Sequence, residues 1–298
     1  MSSNTDVLVE AGRLAGEGKA YALATVVRVV RPASARAGDR ALVTADGRLS
    51  GWIGGACAEP AVVLEAARAL ADGRPRLVRV CRPGAAGEVP EGVVIAETAC
   101  ASEGTVEVLI EPQLPDPLVA VLGESPAAST LADLARRIGW RVSDDPAGAD
   151  AVVIATMGRD DNAALQGALA SGAGYVGLVA SARRGAAVLA ELREGGLDEE
   201  ALARVHSPAG LDLGPSSQEE IAVAILAELV AWRHRRRTAA PEAARADALD
   251  PVCGMTVPVS AATETTVHAG VMYYFCGAGC RRRFEADPAR YLSEVTTT

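Results

Sequence analysis

Cysteine is the residue of widest chemical reach in this chain, and its six copies fall into two groups: Cys57, Cys81 and Cys100, then Cys253, Cys276 and Cys280. The chain opens Met1-Ser2-Ser3-Asn4-Thr5-Asp6, with neither a basic run nor an apolar one, so it reads as unexported and its thiols as free groups or ligands. Cys276 and Cys280 stand four apart at a predicted helix start, a spacing that lets both thiols face one point. Cys253, returning from a preceding strand, would complete a set of three. Three thiolates suit a soft transition metal, Cu(I) or zinc. Zinc would want a fourth ligand, for which His268 is the nearest candidate, and Met255 could serve copper. The plainer alternative is a redox-sensitive or merely buried set of thiols.

Cys57 sits differently. Trp52-Ile53-Gly54-Gly55-Ala56-Cys57 lies where a strand gives way to a helix beginning near Glu59-Pro60. Adjacent glycines let the backbone bend sharply and come close to a ligand. A cysteine at a helix start gains thiolate character from the helix dipole, useful for touching a metal or a sulfur centre. Equally, a small buried cysteine in a turn would look the same. Cys100, just ahead of a strand, is a weaker candidate, and Cys81 at a strand end reads as structural.

The elements that must position these groups follow from periodicity. Residues 6–18 have helical apolar spacing and Ala20–Val30 is β-rich. Asp46-Gly47 marks a hairpin between Ala41–Val43 and Leu49–Ile53. Residues 59–71 predict an amphipathic helix, and Leu77–Cys81 and Val106–Ile110 two strands. Pro112, Pro115 and Pro117 then break the chain, giving an expected boundary between a domain over 1–115 and one over 116–237. In the second, Leu118–Leu122, Arg141–Ser143, Ala151–Ala155 and Tyr175–Ala180 alternate with helices at 129–138, 161–171, 183–194 and 218–237. That alternation predicts a doubly wound, Rossmann-like parallel sheet, the fold class being α/β with an α+β first domain. Residues 238–249, rich in alanine and charge, suit a linker. Residues 250–298 hold both phenylalanines, three of the five tyrosines and half the cysteines, and read as a small module of their own.

Ligands of such sheets sit beyond the carboxyl ends of the strands. Gly123-Glu124-Ser125-Pro126 occupies the place of a dinucleotide fingerprint but keeps only its first glycine, and Glu124 would repel a pyrophosphate, which disfavours NAD. Thr156-Met157-Gly158-Arg159-Asp160-Asp161 is a polar turn after an apolar strand. Ser181-Ala182-Arg183-Arg184 opens a helix with a hydroxyl, free N–H groups and two guanidinium groups, a set able to hold a phosphate. Taken singly, each reads as ordinary capping, and His206 and Asp212 as structural.

Together the segments resemble one family. Gly51-Trp52-Ile53-Gly54-Gly55-Ala56-Cys57-Ala58-Glu59 is similar to the Gly-Gly-x-Cys-type motif of the XdhC/CoxI family. Ala155–Asp160, Tyr175–Arg184, His206–Gly214 and Glu219–Glu228 resemble that family's C-terminal half, so that the likeness runs over roughly residues 5–232. It implies an accessory factor that binds the molybdenum cofactor, as molybdopterin or its cytosine dinucleotide form, helps make its sulfurated form and delivers it to a molybdenum hydroxylase such as xanthine dehydrogenase or carbon monoxide dehydrogenase. The protein would be a cofactor chaperone rather than a catalyst. The family's motif cysteines fall on Cys57 and Cys100. With Gly54, Gly55, Thr156, Gly158, Asp160, Ser181, Arg183, Arg184, His206 and Asp212 they make up the implied cofactor site, expected between the two α/β domains. The sequence departs from the family at Gly123-Glu124-Ser125-Pro126, at the short stretch between Arg141 and Ala151, and after Cys100, where Ala101-Ser102 replaces glycines. Asp250-Pro251-Val252-Cys253-Gly254-Met255 and Tyr273–Cys280, followed by Phe284–Pro288, resemble a YHS domain, whose metal ligands would be Cys253, Cys276 and Cys280.

Other classes stay open: an NAD(P)-dependent oxidoreductase, suggested by architecture alone, and a metal-handling or metal-sensing protein acting through the C-terminal module. A net charge of −9 argues against nucleic-acid partners, and no apolar run is long enough for a membrane helix. The expected setting is cytoplasmic. The expected partners are a hydroxylase apoenzyme, a cysteine desulfurase and a second copy of the chain.

Overall fold

Ser3 opens the first helix, α1 (Asn4–Gly16), through a reciprocal cap: its hydroxyl accepts from the Asp6 N–H and the Asp6 carboxylate accepts from the Ser3 N–H. Then come β1 (Tyr21–Val30), β2 (Arg40–Thr44), β3 (Leu49–Gly51), α2 (Glu59–Asp72), β4 (Arg76–Cys81), β5 (Val93–Glu97) and β6 (Thr105–Gln113). The six strands form one sheet in the order β3-β2-β1-β6-β4-β5, antiparallel except for the β4–β5 pair. Period-two alternation sorts its side chains. Ala22, Ala24, Val26, Ala41 and Val43 join the core beneath α2, while Tyr21 and Leu42 pack with Val7, Ala11 and Leu14 of α1.

The computed structural model describes residues 3–55, 58–98, 104–239, 247–259 and 263–292. Two compact units emerge, one joining residues 1–115 with 237–298 and the other spanning 116–236.

Pro112, expected to break the chain, lies inside β6. The strand tolerates it because β6 pairs there with β1 alone, opposite Ala22, its pairing with β4 having ended at Arg76–Ile110. Strand β5 escaped the sequence reading; it is a short edge strand whose apolar run carries no alternation.

The second unit contains β7 (Leu118–Leu122), α3 (Pro126–Arg137), β8 (Arg141–Ser143), β9 (Ala151–Ile154), α4 (Asp161–Ala170), β10 (Tyr175–Leu178), α5 (Ala182–Glu194), α6 (Glu199–Leu202), β11 (Val205–His206) and α7 (Gln218–Ala239). Its five strands are all parallel, in the order β11-β10-β9-β7-β8, the doubly wound arrangement expected. Helices cover both faces. Val119, Val121, Val153 and Tyr175 pack with Leu131 of α3 and with Ile225 and Leu229 of α7; Val152, Ile154, Val176 and Leu178 pack with Leu165 of α4 and Leu192 of α5. Between β8 and β9 the short stretch noted in the sequence crosses without a helix.

The C-terminal module begins inside the stretch read as a linker. Asp247–Leu249 form β12, pairing antiparallel with β13 (Thr256–Pro258), while α7 reaches Ala239. Next come the hairpin β14 (Glu264–His268) and β15 (Val271–Phe275), α8 (Ala278–Ala286) and α9 (Pro288–Leu292). Its core is small and aromatic: Phe284 is fully buried, with ring centroids 4.9 Å from Tyr273 and 5.3 Å from Phe275. Too little apolar surface is enclosed to stand alone comfortably, and β13 lies against α2 with Val257 fully buried. Arg68 of α2 ties the two together, donating to Asp247 at 2.6 Å and to Glu65 at 2.7 Å.

Phe284 therefore carries the module. Phe284→Ala is expected to cost about 3–5 kcal/mol, read as a lower denaturation midpoint of the C-terminal segment in hydrogen exchange. A loss under about 1 kcal/mol would mean the aromatic core is not what holds it.

Candidate functional site

Asp250 organises the thiols. It is fully buried; one carboxylate oxygen accepts from the Val252 N–H and the other from the Cys276 N–H, both at 2.8 Å. The turn is closed by Asp250 N–H to the Met255 carbonyl and Gly254 N–H to the Asp250 carbonyl, each 2.8 Å. One side chain thus locks the Cys253 loop onto the end of β15, which carries Cys276, while Cys280 sits in the first turn of α8. The Sγ–Sγ distances are 3.6 Å for Cys253–Cys276 and 3.5 Å for Cys276–Cys280. A tetrahedral ion with ~2.3 Å sulfur arms has edges of about 3.8 Å, so the three thiols are spaced to hold one metal with little movement.

Asp250 joins them: its carboxylate and the three sulfurs all lie within 4.8 Å of one another. His268, the fourth ligand expected from sequence, is not in this group; its ring meets Phe284 edge-on at 6.0 Å. Both Asp250 oxygens already accept backbone N–H groups, which leaves three sulfurs as the dominant donors, a set that suits Cu(I) or zinc. Their protonation is uneven. The hydrogen bond from Cys276 lowers the pKa of Cys253, whereas Cys276 is pushed up by that same bond and by burial. Cys280 is raised to about 12, chiefly by burial. Of the three thiols, Cys253 is therefore the one that ionises most readily. Beside it a cavity of about 270 Å³ has Arg48, Glu59, Pro60, Val257, Glu264 and Cys276 in its walls.

Gly54 and Gly55 adopt φ of +121° and +82°, backbone that side chains rarely take, and a Cβ at residue 55 would come within 3.2 Å of the Trp52 ring. These two glycines make the turn ahead of α2. Cys57 and Cys100 lie outside the described residues. Cys81 is buried at the end of β4, its thiol pushed up by burial and by the charge of Glu97, an inert structural group as expected.

In the second unit the three strand-end segments are brought to one edge of the sheet. Asp161 (5% exposed) links two of them. Its carboxylate accepts from the Thr156 hydroxyl and, at 2.9 Å, from Arg184 Nε, and Arg184 also donates to the Gly158 carbonyl at 3.0 Å. Arg184, expected as a phosphate ligand, is thus engaged in pinning the Thr156–Asp160 turn to the start of α5. Arg183 is exposed and keeps the role of cation at that helix start, where Ser181 caps through the Arg184 N–H. Asp160 is also exposed and takes φ +59° without capping α4.

Ser181 and Asp212 line one cavity of about 740 Å³ with Pro208, Gly214 and Gln218; Thr156, Gly158 and His206 are outside its walls. His206 is fixed from below: its Nδ1 lies 2.8 Å from Glu228 and its ring stacks on Tyr175, centroids 4.3 Å apart. The other Glu228 oxygen accepts from the Tyr175 hydroxyl at 2.8 Å and the Gly210 N–H at 2.6 Å. Burial and the Glu228 charge push the Tyr175 pKa up, keeping it a donor. Sequence reasoning had Asp161 only as the last residue of the polar turn and gave Tyr175 and Glu228 no site role, since nothing local shows that Glu228 meets Tyr175, His206 and Gly210.

Gly123 takes φ +119°, and a Cβ there would stand 2.4 Å from the Ala155 carbonyl, so this loop is pressed against the end of β9 backbone to backbone.

Comparison with known proteins places these features. Residues 14–80 match the XdhC and CoxI family, 119–229 the XdhC Rossmann domain, and 248–295 the YHS domain. The chain is similar to an Escherichia coli protein, uncharacterized protein YqeB, at 28% identity over 76% of this chain and 46% of that protein, so it spans less than half of that relative's length. A stretch of 52 residues is 46% identical to part of a copper-transporting P-type ATPase of Rhizobium leguminosarum, covering 17% of this chain and 6% of the ATPase. Among solved structures, a xanthine dehydrogenase crystal structure from Bacillus halodurans aligns over 78% of this chain and 97% of its own, at 17% identity and a TM-score of 0.37. No helix among the described residues is long and apolar enough to cross a membrane.

With its lowered pKa, Cys253 reaches the thiolate at lower pH than its two neighbours. Within the C-terminal cluster of metal-free protein, iodoacetamide near neutral pH is expected to alkylate Cys253 before Cys280 and Cys276, with the buried Cys81 untouched. Peptide mapping checks the order, and labelling of Cys276 before Cys253 would refute it.

Proposed function

We propose that this chain, which belongs to the XdhC and CoxI family and carries a C-terminal YHS domain, is an accessory factor in the maturation of a molybdenum hydroxylase. It would bind the molybdenum cofactor, assist its sulfuration and deliver it to a hydroxylase of the xanthine dehydrogenase or carbon monoxide dehydrogenase type. The observation that carries this reading is the family match over two separate stretches, residues 14–80 and 119–229, each of which contains one of the site segments singled out by chemistry.

When bound, the cofactor supplies a metal–sulfur centre and a phosphate. On the first unit, the thiols of Cys57 and Cys100 are assigned to the metal–sulfur end, with Gly54 and Gly55 letting the backbone approach. On the second, Ser181, the first N–H groups of α5 and Arg183 are assigned to phosphate. There Arg184 holds the Thr156–Gly158–Asp160 turn in place, and Glu228 holds His206 and the loop that leads to Asp212. The role proposed is that of a cofactor chaperone rather than a catalyst, as the family implies. The partners are a hydroxylase apoenzyme and a cysteine desulfurase as sulfur donor, with the chain acting as a homodimer in the cytoplasm.

A second reading has its own observation. The Asp250–Cys253–Cys276–Cys280 cluster suits handling of a soft metal such as Cu(I), with zinc the alternative, and a stretch of 52 residues in the chain is similar to part of a copper-transporting ATPase. Metal would then staple a module whose core is small.

Activation of a purified apo-hydroxylase separates the two. Cys57→Ala is expected to abolish activation, whereas a Cys253→Ser, Cys276→Ser, Cys280→Ser variant keeps most of it while losing its metal in elemental analysis. The reverse pattern would make the C-terminal module the working part.

A further inference from the structure

The second unit holds a cavity of about 740 Å³ beyond the carboxyl ends of β10 and β11, with Ser181, Pro208, Leu211, Asp212, Leu213 and Ile221 among its walls. That volume falls within the ~300–1,000 Å³ of sites that enclose a small molecule, and the carboxyl end of a parallel sheet is where such sites form. One wall is an irregular loop that is nevertheless held along its length. Gly210 N–H donates to Glu228 at 2.6 Å, Gly214 N–H to Asp212 at 3.0 Å, and the Ser216 hydroxyl to the Gly214 carbonyl at 3.0 Å. Ser217 then starts α7 with a reciprocal cap to Glu220. A loop fixed in this way is preorganised, so binding to it carries little ordering cost.

The leucines of that loop are the anomaly. Leu211 and Leu213 are 50% and 57% exposed, two large apolar side chains given to water on a backbone that is held. Ile221 and Ala224 of α7 continue the same wall. An apolar wall in a concave site suits the body of a ligand. Asp212 stands between the two leucines in the chain. One of its oxygens accepts from Gly214, and the other has no partner among the described residues. A carboxylate repels anions and accepts from hydroxyl groups. Ser181, with the exposed Arg183 at the same helix start, suits an anion instead. These demands describe a molecule with an anionic end, free hydroxyls and an apolar body. A sugar phosphate lacks the body and a fatty acid lacks the hydroxyls, whereas a ribonucleoside 5′-phosphate has all three.

We propose that this cavity is a nucleotide site. It takes a ribonucleoside 5′-phosphate with its phosphate at Ser181, its ribose hydroxyls donating to Asp212 and its base against Leu211, Leu213 and Ile221. A carboxylate that accepts from a ribose hydroxyl is a common device of nucleotide-binding parallel sheets. The nucleotide arrives either free or as the nucleotide half of a dinucleotide cofactor, with the same chemistry in both cases. The site shares Ser181 with the cofactor reading above, but binding of a free nucleotide is measured without molybdenum or pterin and is judged apart from it. It is binding alone: no bond is made or broken and no proton is transferred.

Isothermal titration of the full-length protein with AMP, GMP, CMP and UMP tests it, with inorganic phosphate and the matching 2′-deoxynucleotides as controls. At least one ribonucleotide is expected to bind at least about tenfold more tightly than phosphate and than its own 2′-deoxy form, the difference made by a hydrogen bond to a charged group. Asp212→Asn offers only a neutral acceptor and should cut the preference for ribose to about threefold. A Leu211→Ser, Leu213→Ser variant is expected to melt as the wild type does yet to bind the nucleotide about tenfold more weakly, for loss of apolar contact. If no ribonucleotide binds, or phosphate alone binds as tightly, the inference fails and the leucines are left as a face for a protein partner. It fails equally if Asp212→Asn keeps the full preference for ribose. Displacement of the bound nucleotide by the cytosine dinucleotide form of the cofactor, with molybdopterin having no effect, identifies the attached source; resistance to both identifies a free nucleotide. Protein that binds nucleotide but neither form of the cofactor would overturn the cofactor reading and leave this one standing.

Discussion

Helix α2 has to satisfy two surfaces at once, and the chemistry of the first unit depends on that constraint. Ala61, Val62, Ala66 and Ala69 are buried against the six-stranded sheet, small side chains that bring the helix close to the strands. Its other side receives β13. Glu65, only 5% exposed, anchors both relationships, pairing with Arg76 at 3.0 Å on the sheet side and with Arg68 at 2.7 Å, which itself reaches Asp247. A carboxylate so buried is tolerable only while its cations stay in place. With the helix so fixed, its first turn, Glu59-Pro60, faces the cavity that Cys276 enters, and the residues just before it form the glycine turn. The C-terminal thiol module and the sheet of the first unit therefore meet on one helix.

The second unit is built on a different economy of charge. Two carboxylates, Asp161 buried and Glu228 partly buried, do little for solvent and much for the parallel strands and the loops after them, each collecting more than one donor. Asp161 gathers Thr156 and Arg184; Glu228 gathers His206, Tyr175 and Gly210. Irregular backbone at a sheet edge stays ordered when its polar groups are satisfied in this way. What remains unengaged, Arg183 and the start of α5, is the part suited to an anion.

Much of this was legible in the residues. Strand–helix alternation from Leu118 to Glu194 gave the parallel sheet because buried strands and amphipathic helices write different periods. The thiol set was legible because a four-residue spacing at a helix start leaves few geometries. Short edge elements were not: β5, α6 and β11 contribute too few side chains to any core to leave a period, and β12 looked like linker because three residues gain strand character only through pairing with Thr256–Pro258. The site was half legible for a related reason. Cysteines and glycines announce themselves by type, whereas Asp250, Asp161 and Glu228 acquire their roles from partners brought near by folding. Arg184 shows the converse, a residue whose type suggested a ligand and whose neighbour Asp161 gives it a structural task.

The central claim is that this chain carries the molybdenum cofactor. Equilibrium dialysis of the reduced, full-length protein against purified cofactor measures it directly. The account predicts saturable uptake of molybdenum and pterin together, at about one per chain in the manner of a single-site ligand. Protein that leaves dialysis with neither, while still folded and still holding metal at its C-terminal thiols, would contradict it.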